Sequence, residues 1–211
     1  MNQALAQHSW HFDEGSYDTS LITGALLWSD MRKLSQAILE GVKPVDLRKL
    51  VVEENILQRK RSKTSLNIFS YLLQRISASP NELIKLIAEA DSITSRQAAL
   101  LASLSTSRFL REFFSSVVCD RLESFSPILP PLFFEDFWSS CLANDRSLQE
   151  VRPKTIKEIR SVLLKFLVEI EALESSRSKA LKAIRFNPQV TAVLKQTELN
   201  WLTPSVRSFI K

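Results

Sequence analysis

Leu27, Met31, Leu34 and Ile38 recur at intervals of four, three and four residues. On a helix of period 3.6 that spacing draws one apolar stripe. It predicts a first helix over about 19–40, with Gly41 as its C-terminal cap. Pro44 sits where a second helix opens without losing a hydrogen bond, and Val45, Leu47, Leu50 and Val51 carry it toward Leu57. The polar run 58–63 breaks the pattern. Thr64 or Ser65 then caps a third helix whose stripe is Leu66, Phe69, Leu73 and Ile76. Ser79-Pro80-Asn81-Glu82 reads as a capping box with proline in the first turn, opening a fourth helix that ends near Asp91. Thr94 or Ser95 caps a fifth, to about 104, and Thr106 opens a sixth with Leu110, Phe113, Val117 and Leu122 inward.

Pro127, Pro130 and Pro131 mark a rigid break, because proline disfavours helix in the residue before it. A seventh helix over about 131–143 carries Leu132, Phe133, Phe134, Phe137 and Trp138. After a polar connection at 144–152, Pro153 opens the longest late helix, about 153–174, with a stripe of Ile156, Ile159, Leu163, Phe166, Ile170 and Leu173. The stretch 175–187 is polar and basic, with a β-tolerant patch at Ala183–Phe186. Asn187-Pro188 starts another helix and Thr203-Pro204 a terminal turn. Residues 1–17 show no periodicity and read as an aromatic arm carrying His8, Trp10, His11, Phe12 and Tyr17. The pattern predicts an all-α chain of two packed helical subdomains. The N-terminal arm is 1–18, the N-terminal helical subdomain 19–126 and the C-terminal basic helical subdomain 127–211, with 144–152 as the alternative boundary.

Composition narrows the chemistry. The chain has 211 residues, 45% apolar and 24% charged, a globular balance. Its three glycines are Gly15, Gly24 and Gly41, so no glycine-rich phosphate cradle exists beyond residue 41. Both histidines, His8 and His11, fall in the arm, without a ligand set at helical spacing. Cys119 and Cys141 are isolated within apolar helical patterns and read as buried reduced thiols. Adjacent acids such as Glu53-Glu54 and Glu135-Asp136 point in different directions on a helix. No enzyme, cofactor or metal is expected. No signal peptide and no apolar run of about 18 residues is visible, so a cytoplasmic protein is expected.

Charge is where the chain departs from average. Residues 1–150 carry 16 Lys and Arg against 18 Asp and Glu, whereas residues 151–211 carry 12 against 5. An excess confined to one part of a chain suggests an anionic partner. Three constellations hold the cations. Arg59, Lys60, Arg61 and Lys63 lie between two helices. Lys154, Lys157, Arg160 and Lys165 lie on the late helix, where Lys154, Lys157 and Lys165 share the face opposite the apolar stripe. Arg177, Lys179, Lys182 and Arg185 follow it. Such side chains meet phosphates and release counterions, which makes binding salt-dependent. An ordinary solvated face is the competing reading for each. No Arg, Asn and Gln cluster on a short helix marks base-specific reading.

Four segments, in order along most of the chain, resemble the BrxA family of bacterial BREX phage-exclusion systems. They are Ser20-Leu21-Ile22-Thr23-Gly24-Ala25-Leu26-Leu27, Glu54-Asn55-Ile56-Leu57-Gln58 with its basic Ser/Thr loop, Leu73-Gln74-Arg75-Ile76, and Ser105-Thr106-Ser107-Arg108-Phe109-Leu110-Arg111-Glu112-Phe113. Asp30 stands near the acidic position that members carry beside Trp28-Ser29. The resemblance implies a compact helical fold similar to the antitermination protein NusB and binding to double-stranded DNA. It also implies co-action with larger BREX proteins, including a methyltransferase and ATPases. It brings no catalytic residues. The expectation is a non-enzymatic DNA-binding accessory protein of phage defence, contacting phosphates with little sequence specificity. The alternatives are an RNA-binding module of NusB type and a protein–protein adaptor.

Overall fold

A computed structural model describes residues 17–210, apart from the Pro44 side chain. Most of the expected arm, with His8, Trp10, His11 and Phe12, lies outside the described residues. The helices are α1 (Trp28–Leu39), α2 (Pro44–Val52), α3 (Ser62–Ser77), α4 (Asn81–Glu89), α5 (Ser92–Thr106), α6 (Arg108–Phe113), α7 (Asp120–Glu123), α8 (Phe133–Asn144), α9 (Pro153–Glu169), α10 (Pro188–Gln196) and α11 (Thr203–Val206). A π turn, Phe114–Cys119, joins α6 to α7, and 3-10 turns occupy Thr19–Thr23, Arg146–Glu150 and Glu198–Leu202. The protein is all-α. Its one β contact among the described residues is an antiparallel bridge between Ile128 and Ala180.

α5 is the axis of the packing. Every residue from Gln97 to Thr106 is buried, so this stretch of the helix has no solvent face and must be enclosed. Ala98, Ala99 and Ala102 let neighbours approach closely, and the Ser103, Ser105 and Thr106 hydroxyls donate to carbonyls of their own helix. These internal bonds allow polar residues to be buried at little cost. α1, α3 and α4 pack on α5, α1 also packs on α3 and α4, and α10 reaches back from the C-terminal part to cover α4 and α5. α8 adds an aromatic block. Phe137 meets Phe109 and Phe113 edge-on at 5.0 and 5.5 Å, and Trp138 stacks on Phe134. One apolar cluster runs from Tyr17 to Phe209.

Several local readings are corrected. The first helix begins at Trp28 because Asp18 caps the separate turn Thr19–Thr23 and Leu27 takes a left-handed conformation, φ 51°. Its end is as expected. Gly41 at φ 90° lets its own N–H reach Ile38 O and the Val42 N–H reach Ala37 O, a Schellman closure. α2 stops at Val52, before the left-handed Asn55 and Gln58. The Ser79 box does not form, since Ser79 Oγ donates back to Arg75 O at 2.8 Å and Pro80 takes the cap position. α5 is capped by Asp91, which accepts from the Ile93 and Thr94 N–H groups, and not by Thr94 or Ser95. Ser107 caps α6. The π turn shifts the inward positions to Phe114, Val118 and Cys119. α9 ends at Glu169, where Glu171 at φ 66° breaks the helix, though Ile170 and Leu173 are still buried. Ala183–Phe186 forms no strand; instead, the Phe186 N–H donates to Phe209 O at 2.7 Å.

Candidate nucleic-acid interface

The first basic constellation and part of the second fall at the starts of the two longest helices, whereas Lys165 lies near the end of α9 and Arg177, Lys179, Lys182 and Arg185 lie in no helix. Arg61 is the N-cap of α3, with Lys63 in its first turn and Lys60 just before it. Arg152 is the N-cap of α9, followed by Lys154 and Lys157. Neither start has a side-chain cap and neither carries an acid in its first turn. Among the described helices of 9 residues or more, these two alone lack both. α5 and α10 are capped by Asp91 and Asn187, and α1, α2, α4 and α8 begin with Asp30, Asp46, Glu82 and Glu135-Asp136.

That choice is unfavourable to the isolated protein. A helix N-terminus carries unpaired N–H groups and about half a positive charge, so a cation there is destabilising by a few tenths to about 1 kcal/mol at an exposed site. An anion supplied from outside reverses the sign. Lys60, Arg61 and Lys63 are exposed, as are Arg152, Lys154, Lys157 and Lys165, and none of them forms an ion pair with a described acid.

The other cations behave differently. Arg59 turns inward and forms an ion pair with the buried Asp30 carboxylate, so it braces the loop more than it lines its surface. Burial pushes the Asp30 pKa up, against the opposing pull of Arg59 and Lys33. Lys33 Nζ also donates to Ile56 O at 2.9 Å, fixing the same loop to α1. Arg160 leans on the Phe133 ring and lies 3.6 Å from Glu135. Lys182 pairs loosely with Glu174 at 4.0 Å. Arg185 lines a cavity of about 200 Å³ with Arg96, Gln97, Glu171 and three isoleucines, and its carbonyl accepts from Gln97 Nε2. Arg177 and Lys179 are exposed. Arg146, exposed in the turn Arg146–Glu150, and Arg152, the exposed N-cap of α9, stand outside the three sequence constellations.

α3 and α9 are tied together at their opposite ends. Arg75, fully buried near the end of α3, donates to Ala25 O and Leu26 O at 3.1 Å each and to Tyr71 Oη at 2.5 Å. Its guanidinium lies over the Tyr71 ring at 4.1 Å and the Phe166 ring of α9 at 5.5 Å. Glu169, the last residue of α9, accepts from the Leu26 N–H at 2.8 Å. Burial lowers the Arg75 pKa, opposed by Tyr71 and Glu169, and raises that of Glu169, opposed by the Leu26 N–H and Arg75. Gly24 belongs to this turn because a Cβ there would lie 2.6 Å from Leu27 Cδ1. Arg75 and Glu169 escaped the sequence reading because helical periodicity marks apolar stripes, and their partners are backbone groups far away in the chain.

No group of three or more metal-binding side chains converges among the described residues. Cys141 is buried beside Tyr17, and that burial pushes its thiol up to about 12, far from thiolate reactivity. No described helix is long and apolar enough to cross a membrane.

A family model described as BrxA matches residues 15–198. The chain is 25% identical over 183 residues to a protein named BREX protein BrxA from Paramagnetospirillum magneticum, covering 87% of this chain and 92% of that one. Proteins of the same name from Escherichia coli and Bacillus cereus are 23% and 22% identical, covering 83% and 78% of this chain and 83% and 82% of their own. A crystal structure of an uncharacterized protein from Magnetospirillum magneticum superposes with a TM-score of 0.80 at 23% identity, over 90% of this chain and 97% of that one, and so shares its fold.

Proposed function

Because the chain belongs to the BrxA family of BREX phage-defence systems, we propose that it is a non-enzymatic accessory protein of such a system that binds double-stranded DNA through phosphate contacts. The observation that carries this reading is the pair of uncapped, acid-free helix starts at Arg61 and Arg152, each loaded with exposed cations. A phosphate at either start accepts from backbone N–H groups, meets the favourable end of the helix dipole and faces lysine or arginine. Such contacts position a duplex without reading its sequence. The other BREX proteins are its proposed partners, a methyltransferase and ATPases among them, acting in the cytoplasm.

The test is a fluorescence-anisotropy titration of labelled duplex DNA across a salt series. Binding is expected to weaken log-linearly, with a slope of about 0.9 per phosphate neutralised. Failure to bind duplex DNA at low salt would sink the proposal. Preferential binding of RNA in competition would favour an RNA-binding module, and capture of BREX proteins without nucleic-acid affinity would favour an adaptor.

A further inference from the structure

We infer that Phe125 is a wedge that enters the base stack of a bound duplex, with Arg177, Lys179 and Lys182 holding the phosphates beside it. This rests on the DNA-binding reading above and adds a contact to the bases and a bend in the duplex.

Phe125 is wholly open to solvent, whereas the ten other described phenylalanines are all buried. Its ring forgoes the burial that the rest of the chain gives to that side chain. Yet the turn that carries it is tied down. The Ser124 N–H donates to Arg121 O at 3.2 Å, and Ser124 Oγ meets Arg121 O and Ser126 O at 2.8 and 3.0 Å. The Ile128 N–H donates to Ser126 O at 2.7 Å, and Pro127 between them fixes its own φ. α7, just before the turn, is anchored by Arg207, which pairs with Asp120 and, at 3.0 Å, with Glu123. A ring presented on a braced turn loses little freedom when it is inserted.

The same turn brings cations alongside. The bridge between Ile128 and Ala180 is closed by the Leu129 N–H on Lys179 O at 2.8 Å and the Leu181 N–H on Pro127 O at 2.7 Å. Leu129 and Leu181 are buried, while Ile128 and Ala180 are exposed. The paired segments therefore lie on the core, and Ile128 and Ala180 leave from one outer face. The Phe125 Cα is two peptide units from that of Pro127, at most about 8 Å, and the paired segment lies about 5 Å beyond. Those distances together match about four base pairs of duplex at about 3.4 Å each. The paired segment belongs to residues 175–186, which hold Arg177, Lys179, Lys182 and Arg185 and no acid. Arg177, Lys179 and Lys182 are exposed, with Lys182 only loosely paired to Glu174 at 4.0 Å.

Four cations without an acid select an anionic partner. Ser124 and Ser126 flank the ring, so the apolar tip is one residue wide. A lipid surface calls for a broader apolar face. A gap between base pairs takes a single ring, and side chains of this kind entering from the minor groove kink the duplex by about 20–90°.

The experiment uses the full chain and a duplex of about 24 base pairs carrying a donor and an acceptor dye at its ends. Anisotropy across salt reads affinity and slope, and energy transfer reads the bend. Phe125→Ala and Phe125→Leu alter a side chain outside the core, so the fold is retained, as circular dichroism verifies. The unmodified chain is expected to raise energy transfer. Phe125→Ala should bind at least about fivefold weaker, without the rise in transfer and with an unchanged salt slope, because the ring releases no counterions. Phe125→Leu should keep most of the bend, since leucine also serves as a wedge. Arg177→Ala, Lys179→Ala and Lys182→Ala together should lower the slope by up to about 2.7. Phe125→Ala with unchanged affinity and transfer would overturn the wedge while leaving DNA binding in place, and an unchanged slope in the triple variant would remove the cations from the site. Phe125-dependent binding to phosphatidylserine vesicles, with duplex binding indifferent to Phe125, would give the tip to a lipid surface instead. An unmodified chain that binds no duplex at low salt would overturn both readings.

Discussion

The Arg75 guanidinium and the Leu26 carbonyl meet at 3.1 Å across 49 residues of sequence, while the N–H of the same Leu26 is held by Glu169. Both hydrogen-bonding groups of one backbone residue are thus satisfied by charged side chains from two different helices, the buried Arg75 and the half-buried Glu169. Removing the guanidinium strands two carbonyls and the Tyr71 hydroxyl and takes a positive charge away from Glu169. Each stranded buried group costs about 1–3 kcal/mol, partly relieved because a buried charge also disappears. Arg75→Met is therefore expected to lower unfolding stability by about 3 kcal/mol, read as a fall in the urea midpoint. Arg75→Lys should recover only part, since one ammonium lacks the planar fork that serves both carbonyls. An unchanged midpoint for Arg75→Met would show that the turn stands without it.

Asp30 and Arg59 give a second prediction, because the pair separates bracing from binding. Asp30 is 8% exposed and its partner comes from the loop that presents Lys60 and Arg61. Arg59→Ala leaves a buried carboxylate with Lys33 as its remaining cationic neighbour, and should cost about 1–3 kcal/mol. Lys60→Ala touches nothing in the fold and should leave stability unchanged. In the duplex titration the order reverses, with Lys60→Ala lowering the salt slope more than Arg59→Ala. A larger slope change for Arg59 would mean that the ion pair opens when DNA binds.

Much of this architecture is legible in the chain before any folding is considered. Pro44, Pro153 and Pro188 each stand at the first position of a helix, and Gly41 closes α1, because these residues act through their own backbone geometry. What stays hidden involves choice between partners. Ser79 had a plausible acceptor role toward Glu82 and instead donates to Arg75 O. Asp91 and Thr94 compete to cap α5, and Asp91 wins with two N–H bonds and the Thr94 hydroxyl. The α3 stripe buries Ile68 and Leu72 where periodicity favoured Leu66 and Leu73, since both phases fit a helix and tertiary packing selects one. The basic clusters were visible as composition. Their placement on uncapped helix starts required the exact boundaries of α3 and α9, and the inward turn of Arg59 required its partner in α1.

Glu169 makes stability depend on pH in a defined direction. Burial raises its pKa above the ordinary glutamate value, so the folded state binds this proton more tightly than the unfolded chain does. Its contribution is then greatest at low pH and declines as pH rises from the ordinary value of about 4.3 up through the raised one. Asp30, also raised by burial, adds in the same direction. Glu169→Gln keeps an acceptor for the Leu26 N–H and removes the titration. Across that window its stability is expected to fall less steeply with pH than that of the unmodified chain, measured by urea unfolding at a series of pH values. Parallel pH profiles for the two proteins would contradict the assignment.

The helix starts themselves supply the sharpest prediction, because they set stability against binding. Arg152 occupies an N-cap with extended backbone, φ −63° and ψ 143°, a geometry in which aspartate accepts from the N–H groups two and three residues on. Arg61 occupies the same kind of position before α3, at φ −126° and ψ 125°. Arg152→Asp supplies the missing cap and replaces a repelled cation with an attracted anion at the positive end of α9. It should stabilise the protein by about 1 kcal/mol, and Arg61→Asp by a similar amount at α3. Each change should also weaken duplex binding by more than the corresponding alanine substitution, because it occupies the N–H groups a phosphate would use and repels the phosphate directly. Thermal melting and anisotropy on the same samples read the two effects together. A helix start kept basic only for solubility would gain stability on substitution and lose no affinity; one kept basic for a phosphate must show both.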